Sequence, residues 1–244
     1  MEQLDYICDY CKAEITNMTD LGYLGSKDRQ DQSCNPFLDM LCLCKNCEEK
    51  RSKNNICYAG IGSRKTPDNI LEMMREMAKI LAKEGYTLRS GGAEGADSAF
   101  EKGCDEVGGK KEIYLPWKNF NGNSSFLYNI SEEAFELAKR FHPAWSYLKY
   151  GAKCLHSRNG YQILGLDLNT PVGFIICYAK EKGGTDQALR VAASRSIPFV
   201  NLAFLEEGAT LETVLDKVLR RKENESYIHI DGRSNSGCEK NRPS

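Results

Sequence analysis

The chain is short of net charge. Its 33 Lys and Arg residues face 34 Asp and Glu, leaving −1 at neutral pH over 244 residues. That balance excludes a global basic field for nucleic acid or a membrane surface and leaves only local patches. Long apolar runs are missing too: nowhere do about 18 apolar residues stand together, the least that a membrane-spanning helix needs. No membrane partner is expected. The opening Met1-Glu2-Gln3-Leu4-Asp5-Tyr6 lacks the basic-then-apolar order of a secretory signal, so a cytoplasmic, reducing location is expected. Cysteine, by contrast, is plentiful, with 11 residues. In a reducing compartment these fit metal ligands and buried thiols better than disulfides.

Four cysteines fall into two C-x2-C pairs, Cys8 with Cys11 and Cys44 with Cys47. Each pair closes a tight turn that points two thiolates at one ion. Two such turns complete a closed, tetrahedral, structural zinc site. Residues 1–53 are therefore expected to form a small zinc-ribbon-like module and linker, with Zn2+ as structural cofactor. Cys34 and Cys42 are close enough in sequence to replace a member of the set. A site of four cysteines has no open coordination position, so its role is scaffold or docking. Between the pairs, Gly22 to Pro36 is polar and turn-rich and suits a hairpin with a loop. Glu48 to Asn55 is a charged connector.

The rest of the chain repeats one pattern three times. Ile56 to Ala59 predicts a short buried strand that breaks at Gly60 and Gly62. Ser63, Arg64, Lys65 and Thr66 follow, and Pro67 opens a helix with apolar positions Ile70, Leu71, Met74, Met77, Ala78 and Leu81. Tyr86 to Ser90 predicts a second strand, running into Gly91, Gly92, Glu94 and Asp97, with a helix from Ala96. Val172 to Tyr178 predicts a third, after which Gly183, Gly184, Thr185 and Asp186 open a helix over 187–194. Further strands are expected over 112–115 and 197–202, and a helix over 211–219. A polar loop with aromatics over 117–130 fits two readings, a cover over a ligand or a surface loop with Trp117 buried. Ser131 caps a helix running to His142, and a short helix is expected over 144–150. The alternation predicts a doubly wound, mostly parallel, Rossmann-like α/β domain over 54–222, with 223–244 as a polar, disordered tail.

In an open parallel sheet the three glycine turns lie along one edge, where ligands bind. Glycine admits close backbone approach, and a helix N-terminus presents free N–H groups and partial positive charge. A nucleotide-like anion is the expected occupant. Arg158 and Asn159 are expected just before an apolar strand. Arg158 offers a bidentate fork to phosphate or carboxylate, or makes a structural ion pair. His156 fits packing as well as function.

Three segments, Tyr58 to Arg64, Ser90 to Asp97 and Gly183 to Thr185, resemble the SLOG superfamily. This Rossmann-like group includes the DNA-processing protein DprA, the LOG cytokinin-activating phosphoribohydrolases and the YspA-like proteins. The segment from Ser90 to Asp97 is most similar to YspA-like and DprA sequences. The resemblance spans 56–202 and leaves the zinc module outside. It implies a nucleotide or nucleotide-derived ligand over Gly60, Gly62, Ser63 and Arg64, with Gly91, Gly92 and Asp97 beside it. Gly183, Gly184 and Thr185 would hold its phosphate, and Asn159 and Asp186 complete the binding set. LOG-type enzymes hydrolyse the N-glycosidic bond of nucleoside 5′-monophosphates. Their motif Arg is followed by Lys, where Asn159 follows Arg158 here. Their Glu, three residues after the motif Thr, is Ala188 here. Candidate catalytic residues for such chemistry are Asp97, Glu94 and Arg158, since an oxocarbenium-like state needs a nearby carboxylate. The alternatives are a nucleotide sensor without turnover, and a DprA-like single-stranded DNA binder using Arg64, Lys65, Arg89 and Arg158. The resemblance also implies a homodimer.

Overall fold

The computed structural model describes residues 56–180, 183–205 and 208–220, together with the backbone of four short strands nearer the amino terminus. Those strands make two antiparallel pairs. β1 (Tyr6–Ile7) lies beside β2 (Glu14–Ile15), and β3 (Leu21–Ser26) beside β4 (Met40–Cys44). Of the cysteines expected to hold zinc, Cys8, Cys11 and Cys47 lie outside the described residues, as does Cys34. Cys44 and Cys42 are described in their backbone alone. The tail 223–244 also lies outside.

The main domain is an α/β fold built on five parallel strands: β5 (Cys57–Gly62), β6 (Thr87–Ser90), β7 (Lys111–Ile113), β8 (Phe174–Tyr178) and β9 (Phe199–Asn201). Their order across the sheet is β7-β6-β5-β8-β9. The chain starts in the middle, builds outward on one side, then returns and builds outward on the other. This is the doubly wound arrangement that the sequence predicts. Its topological switch point lies between β5 and β8, where Tyr58 is in register with Phe174 and Gly62 with Tyr178.

Six α-helices join the strands: α1 (Asp68–Lys83), α2 (Ala96–Glu106), α3 (Glu132–Phe141), α4 (Tyr150–Leu164), α5 (Gly184–Ser194) and α6 (Leu211–Arg220). Alternate strand residues face opposite layers. Tyr58, Leu88, Phe174 and Ile176 pack against Met74 and Leu81 of α1, Phe100 of α2 and Val214 of α6. Ala59, Ile61, Ile175 and Cys177 pack against Ile163 of α4 and Val191 of α5. Strands buried on both faces read as continuous apolar runs, which is why the central three were legible.

Three local expectations are corrected. β5 runs through Gly60 and ends only at Gly62. The short helix expected over 144–150 is a single 3-10 turn, Trp145–Tyr147. The largest difference is α4. Arg158 and Asn159 were expected at the mouth of a strand, but they stand in the middle of a 15-residue helix. Every residue from Ser157 to Leu164 is buried, because α4 is covered by α3 and α5 as well as by the sheet edge. A helix buried all round shows no amphipathic period, and its apolar end, Tyr161 to Leu164, resembles a strand.

Candidate functional site

A cavity of about 460 Å³ opens at the switch point. Its floor is the end of the sheet, with Ile61, Gly62 and Tyr178. One wall is the turn Ser63-Arg64-Lys65, and another is α4 with Leu155, His156, Arg158, Asn159 and Gln162. The start of α5 closes the far side with Gly183, Gly184 and Thr185.

The centre of the site is a buried ion pair. Nη1 of Arg158 donates to Oδ2 of Asp97 at 3.2 Å, and each side chain is 5% exposed. Asp97 sits in the first turn of α2, where its carboxylate also faces the N–H groups of Ala93 and Gly62. Burial pushes the Asp97 carboxyl above its ordinary range, while Arg158 and these N–H groups pull it back. Burial likewise lowers the proton affinity of Arg158, and Asp97 opposes that. Nε of Arg158 is buried with no hydrogen-bond partner among the described residues. The guanidinium itself stands in the cavity wall.

Glycine makes room for this pair. A side chain at position 91 would occupy the place of Arg158 Nη1, so Gly91 makes room for the arginine, and it does not line the cavity. From Arg158 a chain of amides runs to α5. With its amide oriented to satisfy both ends, Gln162 accepts from Arg158 Nη1 at 3.2 Å and from Gly91 N–H at 3.0 Å. Its nitrogen donates to Asn159 Oδ1 at 3.1 Å. Asn159 then donates to the Gly184 carbonyl and to Gln187 Oε1, both at 3.1 Å. The glycine turn of α5 is thus tied to the arginine through fully buried side chains.

The rim is cationic. Arg64, Lys65 and Lys180 are exposed around the mouth. Ser63 orders its turn, because its Oγ accepts from Lys65 N–H and its carbonyl accepts from Thr66 Oγ1. Among the described residues the only carboxylate on the wall is Asp97, already bonded to Arg158. The first N–H groups of an α-helix have no partner within it, so Gly184, Thr185 and Asp186 turn donors and a partial positive charge toward the cavity. His156 stands on the α4 wall against His142, with ring centroids 4.4 Å apart. Burial and His142 hold its pKa down at about 4, so it is neutral.

Of the residues singled out in the sequence, Gly62, Ser63, Arg64, Asp97, Arg158, Asn159, Gly183, Gly184 and Thr185 line this one cavity. The others do not. Gly60 faces the Phe100 ring, where a side chain would meet Cγ at 2.5 Å. Gly92 packs on Leu115, with φ of +64°. Glu94 is exposed and off the wall. Asp186 pairs with Arg190 at 2.7 Å, one turn along α5. Arg89 does not join a basic face either: it is 6% exposed, and its guanidinium binds Glu112 of β7 and the Thr170 carbonyl. Leu155, Gln162, Tyr178, Lys180 and Gln187 were missed. Positions 155, 158 and 162 fall on one helical stripe, so reading this segment as a helix would have found two of them.

No protein-family model matches the chain, and no curated protein matches it. Among solved structures, it is similar to a molybdenum cofactor carrier protein from Chlamydomonas reinhardtii. That match has 17% identity and a TM-score of 0.45, and covers 69% of this chain and 99% of that one. It is also similar to DNA processing protein A from Helicobacter pylori, at 18% identity and a TM-score of 0.42, over 70% of this chain and 74% of that one. DNA processing protein A from Streptococcus pneumoniae is 18% identical with a TM-score of 0.41, over 70% of this chain and 58% of that one.

Proposed function

We propose that the switch-point cavity binds a phosphorylated nucleotide or nucleotide-derived small molecule, phosphate first. The observation that carries this reading is that Arg158 stands in the cavity wall, where among the described residues Asp97 is the one carboxylate and is already paired with that arginine. Arg64, Lys65 and Lys180 at the rim and the N-terminus of α5 all favour an anion. The cavity volume suits a small phosphorylated ligand.

Hydrolysis of an N-glycosidic bond is the second reading, and Asp97 is the observation for it. Glycosidases commonly set two carboxylates about the scissile bond. Here Glu94 and Asp186 stand off the wall, and Asp97 is held by Arg158. Binding without turnover is therefore favoured, with Asp97 orienting the arginine.

The test is calorimetric titration of the full chain with nucleoside 5′-monophosphates, followed by chromatography of the mixture. Micromolar to millimolar binding is expected, weakened about tenfold in the Arg64→Ala, Lys65→Ala double variant by loss of two phosphate-facing charges. Absence of binding to every phosphorylated compound would sink the reading. Release of free base and ribose phosphate, abolished in Asp97→Asn, would replace it with the hydrolase.

A further inference from the structure

The anion end of the cavity leaves open what the far end of the ligand meets. The stripe of α4 that carries Arg158 and Leu155 continues to Gly151, one turn before Leu155. Gly151 lies just beyond the cavity lining and has no side chain to fill the space there. A Cβ there would find only the edge of the Trp117 ring, 3.8 Å from Cζ3. From Arg158 to Gly151 the helix rises about 10 Å, comparable with the reach from phosphate to base in a nucleoside monophosphate.

Trp117 is 44% exposed, although Phe120 beneath it is only 5% exposed and meets it edge to face, with centroids 5.0 Å apart. The loop that carries the ring is fastened down. Asn121 donates to the carbonyl of Gly92 at 3.1 Å, and Asn123 donates to the Glu101 carboxylate of α2. Asn119 and Asn121 hold left-handed φ values of 58° and 51°, which asparagine adopts more readily than other side chains and which shape the tight turn of this loop. A large planar ring thus stands half bare beside Gly151, one helical turn beyond the cavity wall at Leu155. The exposed Tyr150 at the start of this helix belongs to a neighbouring stripe and stacks on Phe135 of α3.

We propose that Trp117 is the stacking residue for a planar heterocyclic base of a ligand whose phosphate sits in the cavity and whose base reaches past Leu155 to the Trp117 ring. This rests on the anion reading above and narrows it to ligands that carry both a phosphate and a base. Such a ligand lies along α4, with Gly151 leaving space for the sugar or base to pass.

The test compares AMP, GMP, CMP and UMP, each against ribose 5-phosphate, on the full chain. In the Trp145→Phe background, Trp117 is the remaining tryptophan and its fluorescence reports the base directly. At least one nucleotide is expected to bind on the order of tenfold tighter than ribose 5-phosphate and to quench Trp117, as one base–aromatic stack supplies. Trp117→Leu should abolish that advantage and leave ribose 5-phosphate binding unchanged, while Trp117→Tyr should restore most of it. Unchanged sugar phosphate binding also shows that the variants fold. The proposal is overturned if no nucleotide outbinds ribose 5-phosphate, or if Trp117→Leu binds nucleotides as the parent does. In either case the anion site survives, because ribose 5-phosphate still binds. A protein that binds neither class fails the anion reading, and the Trp117 proposal with it.

Discussion

At the scale of single residues, the site is an arrangement of groups whose proton affinities the fold has moved. His156 is the clearest case. It packs against His142 from the end of α3, with Arg190 of α5 and Arg158 of its own helix nearby. These neighbours and burial bring its pKa from the ordinary 6.5 down to about 4. A depressed folded pKa means that protonation favours the unfolded chain. The stability from neutral His156 is fully present above pH 6.5 and is lost as pH falls through about 4. Partial exposure discounts the effect to about 1–2 kcal/mol. Urea midpoints near neutrality and near pH 4 should therefore diverge more in the parent than in His156→Gln. Equal acid losses in the two proteins would show that His156 is not the group responsible. Residue identity alone did not reveal this, because a histidine takes its role from what surrounds it, and His142 is distant in sequence.

At the scale of elements, the glycines divide into two kinds that look alike in the sequence. Gly60 is required by packing: an added methyl group would press into the face of Phe100 on α2. Gly60→Ala is expected to cost about 1–3 kcal/mol by overpacking, and Phe100→Leu should recover part of it in a double-mutant cycle. Gly183 has no atom within 4 Å of an added Cβ, and its backbone is extended. Gly183→Ala should change stability by less than about 0.5 kcal/mol, so any loss of ligand affinity there reports contact with the ligand. Chemical denaturation of both variants, with and without AMP, separates the two kinds. The three strand–glycine–helix units were legible because each is encoded within a dozen neighbouring residues. α4 was not, because its burial on several sides erases the helical period and depends on partners far along the chain. That error placed Arg158 and Asn159 on the wrong element, although both line the cavity.

At the scale of the whole molecule, nearly neutral net charge combines with a local concentration of positive charge at the switch point. The sheet order brings together turns from positions 62–65, 91–97 and 183–185, which the alternation of strands and helices foretold. The amino-terminal module is a separate proposal. Protein purified without chelator is expected to carry one zinc per chain, and Cys44→Ser to lose it, measured by elemental analysis. A metal-free parent would instead assign the two C-x2-C pairs to redox chemistry.

Arg158 is buried in the cavity wall and paired with Asp97. A ligand that binds the folded chain there and not the unfolded one makes the folded form more durable. At a hundred times its Kd a ligand adds about 2.7 kcal/mol to the folded state. Limited proteolysis should show the difference as slower digestion with nucleotide than with sodium chloride of equal ionic strength. In a cell, the same linkage makes the lifetime of the chain a record of how much ligand has been present.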